Sequence, residues 1–100
     1  MLIVLAKATV PEGALEAAHD AIAAMVAASR AEEGCIDYTF TTDVLDPTSL
    51  HIVEKWRDDE ALKFHFTTPH MAAFQAAIAG TGVQVTEALK FQTDDGASLF

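Results

Sequence analysis

Residues 54–74 constrain this chain more than any other stretch. A strand end at Trp56 leads into a short helix, a break at Thr68-Pro69 and a second helix. Asp58 suits the N-cap of the first helix, and Asp59 and Glu60 place negative charge on its first turn. That helix runs to about Phe66. Thr68 caps the second helix with Pro69 at its first position, where a missing N–H costs nothing. Met71, Phe74 and Ile78 form its apolar stripe, and Gly80 and Gly82 end it. The stretch holds the only tryptophan, two of the four histidines and three of the six phenylalanines. It is expected to set Trp56, His65, His70 and Phe74 around one cavity.

The remainder reads as the scaffold. Residues 2–9 are rich in Val, Ile and Leu, short enough for a strand and barely alternating, so both faces are expected to be covered. Pro11-Glu12-Gly13 is a turn. Residues 14–32 form a helix with Leu15, Ala18, Ile22, Met25, Val26 and Ser29 on its buried stripe, and Gly34 as a left-handed cap. Residues 35–43 are a second strand, with Ile36, Tyr38 and Phe40 pointing one way and Cys35, Asp37, Thr39 and Thr41 the other. Asp46-Pro47-Thr48-Ser49 is turn chemistry, making a hairpin with a third strand over 50–57. Residues 83–93 are a fourth strand, and 94–100 a tail ending in two apolar residues.

The order is βαββαβ, an α+β, ferredoxin-like layout with helices on one sheet face. The other face carries Ile3, Leu5, Val53 and their neighbours, and the chain has no further helix to cover it. Stacking against a second copy solves this, so a homodimer is expected on physical grounds. The 51% hydrophobic fraction, high for 100 residues, points the same way. With no linker or repeat, residues 1–100 read as a single domain.

A formal net charge of -9 repels nucleic acid and anionic membranes, so neither is expected as a partner. The apolar run at the N-terminus is too short for a signal peptide or a membrane span. The single Cys35 cannot form an internal disulfide, which fits a reducing, cytoplasmic setting. His65 and His70 stand five apart across a proline, and no carboxylate completes a recognisable ligand set by spacing, so no metal is expected. Glu54, charged within a strand, is expected to pair with a nearby Lys or Arg.

One family shares this order of residues. Glu33-Gly34-Cys35, Tyr38, Asp46-Pro47, Glu54-x-Trp56, Ala61-Leu62 with His65, and Thr68-Pro69-His70-Met71 with Phe74 resemble the antibiotic biosynthesis monooxygenase family, in particular its quinol monooxygenase-like branch. The resemblance spans nearly the whole chain and is sharpest over residues 56–74. It implies a dimeric α+β barrel. It also implies oxidation of a small phenol or quinol by molecular oxygen without metal, flavin or other cofactor. Oxygen reacts slowly with closed-shell molecules, but a deprotonated quinol can reduce it directly. The site must therefore take a proton, hold the anion and keep water out.

In that reading His65 is the expected base, since an imidazole is largely neutral at pH 7. His70 is its runner-up or an anion-stabilising partner, and Tyr38 donates a hydrogen bond to a substrate oxygen. Trp56 and Phe74 wall the aromatic ring. Ile52 joins that wall where antibiotic-pathway relatives carry a polar amide. Haem-degrading relatives place an amide on the first strand, where this chain has only apolar residues. Two alternatives stay open. One is a proton-transfer isomerase of a phosphorylated sugar-like carbonyl, which needs cations at its cavity. The other is a binding dimer without turnover, in which Trp56, Phe74 and Met71 fill the hollow.

Overall fold

The computed structural model describes all 100 residues. The element order is β1 (Leu2–Thr9), α1 (Ala14–Arg30), β2 (Cys35–Asp43), β3 (Asp46–Trp56), α2 (Asp59–His65), α3 (Pro69–Ile78) and β4 (Gln84–Gln92). The strands form one antiparallel sheet in the order β2-β3-β1-β4. This is the ferredoxin-like α+β fold, with its second helical region broken in two. No helix is long and apolar enough to cross a membrane.

Strand pairing assigns the faces. Leu2 opposes Trp56, and Tyr38 opposes Glu54. Side chains alternate along a strand, so Leu2, Val4, Tyr38, Phe40, Leu50 and Trp56 share the helix-covered face. There Leu2, Met25, Tyr38, Trp56, Ala61 and Leu62 form the main buried cluster, with Val26, Phe40, Met71 and Phe74 packed against it. A smaller cluster of Ala8, Val10 and Leu50 closes the other end of the sheet. On the opposite face Leu5 pairs with Leu89 and Ile3 with Phe91; Leu5, Leu89 and Phe91 are exposed.

Four local expectations change. The turn between β2 and β3 is Val44-Leu45, earlier than expected, because the Asp43 carboxylate accepts the Leu45 N–H at 2.8 Å. The Asp46-Pro47-Thr48 turn chemistry persists as a side-chain bond from the Thr48 N–H to Asp46 (3.0 Å), within an extended strand. Pro47 is tolerated because β1 pairs with β3 only as far as Ser49. A bulge between Cys35 and Asp37 turns Ile36 outward and Cys35 onto the core, reversing their expected sides. Gly34 does not have a left-handed backbone; its role is close approach, since a Cβ there would lie 2.4 Å from the Ala61 Cβ. Gly80 and Gly82, by contrast, do take positive φ just after α3.

Candidate functional site

The broken helix positions the site. The Asp58 carboxylate accepts the Ala61 N–H at 2.9 Å and starts α2. At the break, the Thr68 hydroxyl donates to the His65 carbonyl (2.7 Å) and accepts the Met71 N–H (3.3 Å), tying the end of α2 to the start of α3. His65 is therefore the last residue of α2, and His70 lies in the first turn of α3.

Both imidazoles turn toward one carboxylate. His65 Nδ1 lies 2.6 Å and His70 Nε2 2.7 Å from the same oxygen, Glu32 Oε2. The carboxylate only accepts, so each ring nitrogen donates. Glu32 sits just past the end of α1, and its side chain is 7% exposed. Two charge-assisted bonds offset the cost of burying it. Its other oxygen, Oε1, is buried without a partner, as is His65 Nε2.

The two histidines differ in access. His65 is 1% exposed, while the His70 side chain is 23% exposed. His70 and Glu32 line a half-open cavity of about 600 Å³, with Ala61, Phe64 and Pro69 among its apolar walls. His65 does not line it. Glu33 and Glu60 also line the cavity, and its one guanidinium, Arg57, is held by Glu33 at 3.8 Å and Asp58 at 3.3 Å. The lining is acidic on balance, which opposes a phosphorylated ligand.

The expected aromatic hollow is packed shut. Trp56 is fully buried, 4.6 Å from the His65 ring and 6.3 Å, edge-on, from Tyr38. Tyr38 lies 5.5 Å from His65. Phe74 packs at the margin of the same core, edge-on to Phe40 at 5.9 Å, and lines a shallow groove between α1 and α3 that His70 also borders. Ile52 lies half-buried on β3 opposite Phe40. The structure thus brings Tyr38, Trp56 and His65 together as a core, with His70 joined to them through Glu32. The rings fill their own space because an empty apolar void forfeits contacts on every side.

Glu54 finds a partner other than the expected cation: its carboxylate accepts the Trp56 Nε1–H at 2.9 Å. Burial pushes the Glu54 carboxyl above the usual range, and the indole bond opposes the shift. Burial, then the charge of Glu54, pushes the Tyr38 phenol up. Burial, then the charge of Glu32, pushes the Cys35 thiol up to about 11, so it is held as a thiol.

Residues 1–77 match the description "Antibiotic biosynthesis monooxygenase". The chain belongs to this family. It is 32% identical over 73 residues to "Probable quinol monooxygenase YgiN" of Escherichia coli, a match covering 65% of this chain and 70% of that protein. A Synechocystis protein, sll1783, is 44% identical over 46 residues, 46% of this chain but only 31% of its own length. Among solved structures, PA3566 of Pseudomonas aeruginosa superposes with a TM-score of 0.74 at 33% identity, over 96% of this chain and 94% of that one. A Deinococcus radiodurans protein shares the fold at a TM-score of 0.89 and 18% identity, over 100% and 99% of the two chains.

Proposed function

We propose that this family member oxidises a small phenol or quinol with molecular oxygen, with His70 taking the hydroxyl proton. The observation that carries the reading is the Glu32 carboxylate shared between His65 and His70 at the wall of a cavity. The name of the Escherichia coli relative points to the same substrate class. His70 replaces His65 as the contacting base because it alone of the two lines the cavity. Glu32 holds the His70 ring and, with His65 behind it, stabilises the imidazolium that forms.

The quinol O–H bond breaks, its proton passes to His70, and the anion is left free to reduce oxygen. A quinol plus O₂ gives a quinone plus H₂O₂. A phenol hydroxylated and oxidised in the same site gives a quinone plus H₂O. The apolar walls of Ala61, Phe64 and Pro69 suit a single aromatic ring.

The test is oxygen uptake with a panel of quinols. The wild type should exceed buffer, and His70→Ala should lose about 100-fold or more, the scale of a missing general base. Uptake by the wild type equal to buffer ends the reading. The closed Trp56 core favours a second reading, a binding dimer without turnover, and that same result would support it.

We infer also that the open sheet face, with exposed Leu5, Leu89 and Phe91, is covered by a second copy of the chain. Light scattering should give twice the chain mass at micromolar concentration, and Leu89→Glu should halve it. A wild-type monomer would refute the inference.

A further inference from the structure

A carboxylate and two imidazoles converge here from three places in the fold. Glu32 follows α1, His65 ends α2 and His70 starts α3, and one ligand-type atom from each lies within 4.8 Å of the others. We propose that Glu32, His65 and His70 form a binding site for a divalent transition-metal ion of borderline softness, such as Zn²⁺ or Co²⁺.

The donor set fits. Imidazole nitrogen and carboxylate oxygen suit these ions, and three protein ligands leave a position open for water or another ligand. The distances say what the ion replaces. Separations of 2.6 and 2.7 Å are those of N–H···O bonds. Two ligands each about 2.0–2.1 Å from a tetrahedral ion stand about 3.4 Å apart. The ion therefore takes the place of the ring protons, and the donors retreat by less than about 1 Å. His70, at the cavity wall, has room for that retreat, whereas His65 is fixed in the core.

Two further observations point to a cation. Glu32 Oε1 is buried without a partner, so the carboxylate has an unused acceptor beside its shared oxygen. The approach is acidic: Glu33 and Glu60 line the cavity, and its one cation is held by two carboxylates. Such a lining concentrates cations at the mouth. Nothing in sequence spacing announces the set, because Glu32 is 33 residues from His65.

The experiment is titration of chelator-treated, dialysed protein with Co²⁺, followed by visible absorption and calorimetry, with Zn²⁺ as competitor. One Co²⁺ per chain should bind with a visible band that Zn²⁺ displaces. His70→Ala and Glu32→Gln should each weaken binding by at least about 100-fold, the upper end of what losing even an outer-shell partner costs. The double substitution His19→Ala/His51→Ala, which removes the two histidines outside the cluster, should leave it unchanged. Absence of a saturable band, or a band unmoved in His70→Ala, overturns the proposal. Because His70 is partly exposed, that variant keeps the test decisive even if Glu32→Gln folds poorly. The titration contains no quinol and the oxygen assay is run metal-free, so the two readings fail separately. An ion on His70 Nε2 leaves that ring unable to take a proton, so oxygen uptake belongs to the metal-free form.

Discussion

Gly34 and Ala61 provide a direct probe of how the candidate site is assembled. A Cβ on Gly34 would lie 2.4 Å from the Ala61 Cβ and 3.5 Å from its Cα. Carbon atoms pack at about 3.5–4.0 Å, so Gly34→Ala must separate the two backbones by about 1 Å. Little can yield: the Gly34 carbonyl accepts the Arg57 N–H at 2.8 Å, and the Ala61 N–H is held by Asp58. Overpacking of this kind costs about 1–3 kcal/mol. Gly34 does not have positive φ, so alanine is free of backbone strain there, and the stiffer unfolded chain returns about 0.4–1 kcal/mol.

The net expectation is a loss of about 1–2 kcal/mol. Ala61→Gly alone loses about 1 kcal/mol through helix propensity. In the double variant the new methyl occupies the space vacated by the old one, so the two changes should couple by about 1–2 kcal/mol. Urea unfolding of the four proteins measures the cycle. Additive single changes, or a Gly34→Ala protein as stable as the wild type, would refute the close-approach account. Since α2 carries His65, Gly34→Ala should also disturb the bond to Glu32.

Other expectations follow from the buried groups and the cavity. Burial raises the Glu54 carboxyl above its ordinary value, so its contribution to stability is full at acid pH and is lost as pH rises through the raised value. Glu54→Gln, which keeps an acceptor for Trp56, should be more stable than the wild type at neutral pH, with the gap closing on acidification; a pH-independent gap in urea midpoints would count against it. With the Cys35 thiol at about 11, iodoacetamide should alkylate native protein slowly at pH 8 and much faster above pH 10. Stability relative to Cys35→Ala should fall as pH climbs from about 9 to 11, and a flat difference would contradict the shift. Phenols bearing a carboxylate or phosphate should bind at least about tenfold more weakly than neutral ones, or about 1.4 kcal/mol, by calorimetry. Equal affinities would show that the cavity of Glu33 and Glu60 is not the binding site.

What the sequence revealed and what it concealed divide along a physical line. The strands, α1 and the caps Asp58 and Thr68 were legible because period and capping act within a few residues. Ile36 faces outward against its pattern because a one-residue bulge inverts alternation without any local sign. Gly34 looked like a helix cap because glycine after a helix usually is one, whereas its reason here lies on α2, 27 residues away. Glu54 bonds an indole rather than the expected cation because the Trp56 N–H lies two residues along on the same strand face. Glu32 carries no local sign of its role, because His65 and His70 lie 33 and 38 residues away and only the closure of three elements buries it.

The proline break explains why His65 and His70 can act on one atom at all. In an uninterrupted helix, residues five apart differ by about 140° in direction and 7.5 Å along the axis. Two such rings cannot both reach a single oxygen at 2.6 and 2.7 Å. Ending α2 at His65 and restarting at Pro69 gives each ring its own helix axis. The Thr68 side chain, bonded to both sides of the break, then fixes the angle between the axes. Glu32 supplies the third point, its Oε2 accepting from both rings. The Thr68-Pro69-His70 sequence is thus a device for convergence. It places one ring in the core beside Trp56 and the other at the cavity wall, with a carboxylate holding both.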